Sequence, residues 1–268
     1  MLDFIKAKVL VVGDAIDDLY YFGRVDRICP EAPVPVFVPE NSEVRLGGAL
    51  NVEAQINALG AYAACLYGGK RSRKSRYMSG NHLLLRVDED DTREATEEMV
   101  IKMRQFLADK GAFFNAVVIS DYAKGFVTPE MAQAVIGWAR QHNIPTIVDP
   151  KGSDWGKYTG CTLICPNERE RQLWSDQVLL KRGPAGLQLF DAQPYDQTGV
   201  IIPAKAKKVY DVTGAGDTVV AVVAAAMAAG ATVLEAAQLA ALAAGVVVGK
   251  VGTAVCTLAE LEDAIRNS

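Results

Sequence analysis

Positive charge is not in excess in this sequence: 28 Lys and Arg stand against 32 Asp and Glu, a formal net charge of −4. Proteins that grip nucleic acid through its phosphates need the opposite balance, so no nucleic-acid partner is expected. Long apolar runs are missing too. The longest, around 219–229 and 239–248, are too short and too rich in alanine for bilayer spans, and the first residues lack the basic-then-apolar layout of a secretion signal. These absences predict no membrane association and a cytoplasmic location. Only 2 histidines occur, and the five cysteines, Cys29, Cys65, Cys161, Cys165 and Cys256, form no CxxC pair. Zinc is therefore not expected, and Cys161 and Cys165 read as small residues of a strand region. Neither GxGxxG after a strand nor GxxxxGK[ST] is found, which argues against dinucleotide dehydrogenases and P-loop nucleotidases. Internal repeats, low-complexity linkers and an HxGH motif are also lacking.

What is present is an alternation of strand and helix signals in a chain large and apolar enough for one sizeable core. Short apolar runs at Lys8 to Val12, Ala116 to Ile119, Thr146 to Val148 and Thr162 to Cys165 each close on polar residues. Those residues are Gly13-Asp14, Ser120-Asp121, Asp149-Pro150-Lys151 and Pro166-Asn167. Such runs, separated by helical stretches, predict an α/β fold with a mostly parallel sheet covered on both faces. Ligands then bind beyond the carboxyl ends of the strands, where the polar residues converge. Helices are expected over Gly48 to Leu59, Thr92 to Leu107 and Pro129 to Gln141, the last capped by Thr128. Thr232 with Glu235 and Thr257 with Glu260 have capping-box spacing. Val34 to Val38, Glu43 to Leu46 and a hairpin over Tyr77 to Val87 turning at Ser79-Gly80-Asn81 do not suit a covered sheet. They predict a small β lid, about 33–46 and 71–88, on a single domain spanning 1–268.

The densest chemistry lies at Asp211-Val212-Thr213-Gly214-Ala215-Gly216-Asp217, just ahead of an apolar helix. Backbone N–H groups of small residues at the positive end of a helix make an anion site. An aspartate is a poor phosphate ligand there, so Asp217 reads as a general base for a hydroxyl. The N–H groups of Gly214, Ala215 and Gly216 then hold the charge of the group that is attacked. That is the apparatus of phosphoryl transfer to an alcohol. A bare GxGD would equally suit a loop beside a helix.

The full seven-residue run resembles the C-terminal signature of the ribokinase-like (PfkB) sugar kinases. Gly47-Gly48-Ala49-Leu50-Asn51-Val52 resembles their N-terminal signature, in the right order and separation. Gly13-Asp14, Arg27 to Val36, Ser120 to Gly125 and Asp149 to Gly152 are similar to the bacterial D-glycero-D-manno-heptose-7-phosphate kinases, the kinase half of the ADP-heptose synthesis enzymes. The resemblance covers nearly the whole chain. It implies a ribokinase-like fold, ATP and Mg2+, and phosphorylation of an anomeric hydroxyl for lipopolysaccharide core synthesis.

The resemblance implies that Asp14 and Asp18 bind sugar hydroxyls, each carboxylate accepting from two neighbours. Asp17 adds a third acid, which leaves open whether Asp17 or Asp18 points inward. Gly47 and Gly48 allow close backbone approach to the sugar, and Asn51 offers both donor and acceptor. Lys124 and Lys151 follow strand ends, where a cation serves either the transferring phosphoryl group or the sugar's own phosphate. Of the basic cluster Arg71, Arg73, Lys74, Arg76 and Arg86, Lys74, Arg76 and Arg86 are expected to meet the acceptor's phosphate. The resemblance further implies that Asn167 and Glu170 organise Mg2+ through water. Lys181 and Gly183 match the nucleotide loop, although lysine stands where a hydroxyl residue is expected. Adenine is expected around Ala244 to Gly252, a K+ ion near Asp211 and Thr213, and a homodimer through the lid.

Two connectors are short. Tyr67-Gly68-Gly69-Lys70 leads almost directly into the basic hairpin, and ten residues, Asn167 to Asp176, join strands that should be parallel, for which a helical crossover takes about 10–12 or more. Either the chain has lost two connectors or mobile segments are missing from the sequence. An unphosphorylated sugar or a nucleoside remains an alternative acceptor. A non-catalytic sugar-phosphate binder remains the competing class, against which a base beside a phosphate cradle argues.

Overall fold

The computed structural model describes residues 2–69, 71–152, 154–172, 174, 177–191, 199–206, 208–250 and 252–268. In chain order the strands are β1 (Lys8–Gly13), β2 (Ala15–Ile28), β3 (Pro35–Gly48), β4 (Tyr62–Leu66), β5 (Ser72–Ser79), β6 (His82–Glu89), β7 (Ala116–Ser120), β8 (Thr146–Asp149), β9 (Leu163–Ile164), β10 (Gln177–Lys181), β11 (Leu187–Phe190) and β12 (Val200–Ile202). The α-helices are α1 (Ala49–Ala58), α2 (Glu97–Lys110), α3 (Pro129–Gln141), α4 (Ala215–Ala228), α5 (Val233–Val247) and α6 (Leu258–Arg266).

Eight strands form the main sheet in the order β12-β11-β10-β9-β8-β7-β1-β4. From β4 to β10 every neighbouring pair is parallel, and β11 and β12 add an antiparallel edge. The unbroken apolar runs of the inner strands follow from cover on both faces. Val9 and Val11 pack into a cluster with Val52 and Ile56 of α1 and the valines and alanines of α4 and α5. Leu10 and Val12 point the other way, toward Met103 and Leu107 of α2 and Met131 and Val135 of α3. Gly13 pairs with Ser120 and Ser120 with Asp149, so these strands end level and their polar residues share one rim. The strand order reverses at β1, the switch point where ligands of such sheets bind.

The second sheet has the order β3-β2-β5-β6, with β2 and β5 parallel and the outer pairs antiparallel. It is larger than the predicted lid. β2 and β3 each run 14 residues, and β2 has no counterpart among the predicted strands, because adjacent Asp17 and Asp18 interrupt the alternation that marks a strand. The hairpin of β5 and β6 turns at Gly80-Asn81, as expected. Alternation gives the sheet two unlike faces. Asp18, Tyr20, Arg45, Lys74, Arg76, Arg86 and Asp88 share the inner face through register, and Tyr21, Tyr77 and Leu85 lie on the outer one.

Most helix limits agree with their sequence signals. Thr128 caps α3, and both capping boxes are closed, at Thr232/Glu235 and Thr257/Glu260. α2 begins later than predicted: Thr96 is its cap, and residues before it are held to the loop after β7, where Ala95 N–H donates to Gly125 O at 3.0 Å. The second short connector still yields parallel strands, with Gln177 opposite Leu163 and Val178 opposite Ile164. Leu173, Ser175 and Asp176 of that connector, and Lys70 of the first, lie outside the described residues.

Candidate active site

Asp217 sits in the first turn of α4, where the helix opens on Gly214 in a left-handed conformation (φ 78°) that suits glycine. The residue is buried, 7% exposed, and its carboxylate is held at both oxygens. Asn51 Nδ2 donates to Oδ2 at 2.7 Å, and the Tyr122 hydroxyl donates to Oδ1. Burial raises the acid's pKa, opposed by those two donors and by the charges of Lys181 and Lys74. In the anion loop the Ala215 N–H turns back to Val212 O at 3.2 Å, which corrects the expectation that it faces the ligand. The N–H groups of Gly214, Gly216 and Asp217 have no hydrogen bond among the described residues.

Lys181 lies directly against this loop: the Cβ that Gly216 lacks would be 3.5 Å from its Nζ. The same ammonium is 2.5 Å from Asp149 at the end of β8. Burial, with Asp217 nearby, pushes the Asp149 carboxyl up to about 6; burial is also the largest single influence on Lys181, but the charge and hydrogen bond of Asp149 together with the Asp217 charge outweigh it and raise the ammonium. Lys151 pairs with Glu170 at 2.7 Å. Asn167 Oδ1 accepts the N–H groups of Arg169 and Glu170 and its own N–H donates to Glu170 Oε2, so the NxxE segment is a closed turn. Lys151, Asn167, Glu170, Lys181 and Gly183 line one cavity of about 750 Å3 together with the loop from Gly214 to Asp217. Its apolar wall comes from Leu187, Val209, Ala241, Ala244, Gly245 and Val248. This overlaps the stretch predicted for adenine and starts one turn earlier; Val251 in that stretch lies outside the described residues.

The inner face of the second sheet supplies the opposite side. Asp18, not Asp17, is the inward acid: it is buried and accepts from Arg76 Nη1 at 2.5 Å, whereas Asp17 pairs with Arg71 at 3.1 Å. Gly47 makes room for it, since a Cβ there would come within 2.6 Å of Asp18 Oδ2. At Gly48 (φ 59°) a Cβ would meet the Asp14 carbonyl oxygen at 2.4 Å. Lys74 Nζ stands 5.6 Å from the Tyr122 ring centre, and burial lowers its pKa. Arg86 is opposite Arg76 in the sheet, but its guanidinium is held by Asp88 through two bonds of 2.7 and 2.6 Å.

Two predicted sugar ligands stand apart from this cluster. The Asp14 carboxylate accepts the backbone N–H groups of Tyr122, Lys124 and Phe126 at 2.8, 3.1 and 3.1 Å, so it shapes the loop after β7 instead of facing the main cavity. Lys124 pairs with Asp90 at 2.5 Å and lines a separate small pocket beside Asp14. Asp211 accepts from the N–H groups of Thr213 and Gly252, both at 2.9 Å; burial acts to raise its pKa, but the Thr213 side chain, these two bonds and the Arg45 charge together keep it low. Tyr122, Asp149 and Arg45 are residues for which the sequence predicts no role. The Arg45 guanidinium lies so close to Gly252 that a Cβ there would be 1.2 Å from Nη1. Among the described residues no group of three or more His, Cys, Asp or Glu is arranged to hold a metal, and no helix is long and apolar enough to cross a membrane.

A parallel sheet with an anion loop at its rim, a buried aspartate at the loop and a second sheet facing them defines a phosphotransferase of the ribokinase-like fold. The fold is shared at 17% identity with Thermotoga maritima ribokinase (TM-score 0.70, 97% of this chain and 100% of that one) and with Arabidopsis thaliana ribokinase complexed with ribose and ATP (TM-score 0.68, 98% and 99%). The profile of the pfkB family carbohydrate kinases matches residues 89–260, and the chain belongs to that family. It is similar to bifunctional protein HldE of Campylobacter jejuni subsp. doylei (38% identical, 98% of this chain, 66% of that protein) and of Vibrio parahaemolyticus (38%, 99%, 65%). The same protein of Geotalea uraniireducens is 35% identical over 96% of this chain and 62% of its own length. The chain thus spans 62–66% of these relatives. The shortest of the three alignments is 308 positions long against 268 residues, so at least 40 positions (308 − 268) of that relative have no counterpart, which agrees with the two short connectors.

Proposed function

We propose that this carbohydrate kinase transfers the γ-phosphoryl group of ATP to the anomeric hydroxyl of D-glycero-D-manno-heptose 7-phosphate, giving the 1,7-bisphosphate for ADP-heptose synthesis. The observation that carries the proposal is the buried Asp217 carboxylate beside the Gly214–Gly216 loop, facing a lid whose inner side holds Asp18, Lys74 and Arg76. Asp217 accepts the proton of the attacking hydroxyl, and the N–H groups of Gly214 and Gly216 with the Lys181 ammonium meet the charge on the transferring group. Lys74 and Arg76 receive the acceptor's phosphate, and the apolar wall by α5 receives adenine. The similarity to the HldE proteins and the segments Arg27 to Val36 and Ser120 to Gly125 favour a heptose phosphate over ribose, a hexose phosphate or a nucleoside.

Mg2+ suits the residues present only as a hydrated ion held mainly by the nucleotide, because Lys151 and Lys181 already neutralise Glu170 and Asp149; Glu170 keeps lone pairs for its water. Bound there, it would offset the phosphate charge. K+ beside Asp211 and Thr213 has a competitor in the nearby Arg45 guanidinium, so K+ dependence is a separate measurement. The lid's outer face carries exposed Val44, Leu46, Leu85 and Val87 around a stacked Tyr21–Tyr77 pair, and this apolar patch supports a homodimer. A kinase fed by ATP works in the cytoplasm.

The test is ADP formation with the heptose phosphate, ribose, fructose 6-phosphate and adenosine in parallel. Turnover on the heptose phosphate, reduced about 100- to 10,000-fold in Asp217→Asn, is the expected result. Turnover on another acceptor would discard the substrate, and none on any acceptor, with sugar phosphate still binding, would leave a binder.

A further inference from the structure

Asp217 is separated by 95 residues in sequence from the group that touches its Oδ1, the Tyr122 hydroxyl. The loop bearing that tyrosine is built around two buried carboxylates. Asp14 accepts three of its N–H groups, and Asp121 accepts from Ala123 N at 2.6 Å, from Tyr158 OH at 2.6 Å and from Lys157 Nζ at 2.5 Å. Ala123 is held at φ 53°, and Gly125 takes φ 95° where a Cβ would strike the Arg93 carbonyl oxygen at 2.4 Å. Left-handed backbone at a residue other than glycine persists only where its surroundings enforce it. The loop therefore presents the phenol in one place, over which Lys74 stands.

We infer that Tyr122 is a positioning residue that holds Asp217 ionised and oriented, so that a lone pair of the carboxylate remains directed at the acceptor hydroxyl. A buried carboxylate loses hydration that favours its charged form, and a hydrogen bond donated to that form restores part of it. Asn51 does this at Oδ2 and Tyr122 at Oδ1. Burial and the charges of Asp217 and Asp149 push the phenol's own pKa well up, so it stays a donor throughout the working range. The other charged groups facing Asp217 are Lys181 from β10 and Lys74 from β5, both favouring the anion, and Asp149 from β8, which opposes it.

The inference rests on Asp217 as the base, and its test is made without turnover. Carboxyl-13C aspartate NMR of the unliganded protein follows the Asp217 titration, identified by its loss in Asp217→Asn. In Tyr122→Phe the midpoint is expected to rise by about one pH unit, the scale of one hydrogen bond to an ionised carboxylate. Labelling with 3-fluorotyrosine makes each phenol a stronger donor and is expected to lower it. The acid limb of kcat/KM moves with the midpoint in both cases. An unchanged midpoint in both preparations overturns the inference, even if Tyr122→Phe slows turnover; should that variant not fold, the fluorotyrosine result decides alone. Failure of Asp217 as the base is separate, and appears as full turnover in Asp217→Asn; failure of the kinase reading appears as no turnover on any acceptor.

Discussion

Replacing Lys181 by Met keeps the side chain's length and removes its charge, and the structure sets both the size and the sign of the effect. The ammonium is buried 2.5 Å from Asp149, whose carboxyl burial pushes up to about 6 even with that partner present. Breaking a buried pair from one side costs about 3–5 kcal/mol, because the remaining charge is uncompensated. Asp149's folded-state value lies above its ordinary 3.8, so between the two the folded protein binds more protons than the unfolded chain, and stability declines as pH rises through about 6. For the parent protein that decline is about 3 kcal/mol, from 3.8 to about 6 at about 1.4 kcal/mol per pH unit. Without Lys181 the Asp149 midpoint moves higher still, and the decline continues above pH 7. Urea unfolding is therefore expected to register a loss of about 3 kcal/mol at pH 8, the span from about 6 to 8 at about 1.4 kcal/mol per pH unit, shrinking below about 1 kcal/mol at pH 5, where Asp149 is already largely protonated. Adding Asp149→Asn should recover most of the loss at pH 8. An equal loss at both pH values, or no recovery in the double variant, would refute the pairing.

Arg76→Met removes the partner of buried Asp18 from the lid, and steady-state kinetics are expected to give a rise of about tenfold or more in acceptor KM with the ATP KM unchanged. A change confined to ATP would move Arg76 out of the sugar site. Gly252→Ala imposes a side chain at φ 75° in space occupied by the Arg45 guanidinium; a loss of about 1–3 kcal/mol is expected by thermal unfolding, partly relieved by Arg45→Ala. An unaltered Tm in Gly252→Ala would contradict that contact.

Several features were legible because they depend on neighbours in sequence. The apolar runs ending at Gly13, Ser120 and Asp149 became parallel strands, and Thr128, Thr232 and Thr257 became caps, since a cap is completed within one turn. The GGALN and DVTGAGD runs met across α1 and α4, and Asn51 bonds Asp217. Less was legible in the lid, where Asp17 and Asp18 concealed β2, and in α2, whose start is decided by a bond from Ala95 to a loop thirty residues away.

The sequence by itself determined the class of fold, the rim on which the polar residues gather and the place of the glycine-rich loop at the start of an apolar helix, because each is written in local pattern and residue type. Only the tertiary structure decided which group serves which partner. Asp14 and Asp18 look alike in sequence, yet three loop N–H groups satisfy one and an arginine pairs with the other. Tyr122 lies in a segment that marks the resemblance but is given no role by it, and Lys181 stands where a hydroxyl was expected. Their partners are side chains about 95 and 30 residues away, brought within hydrogen-bond reach by a sheet whose strand order is not the order of the chain.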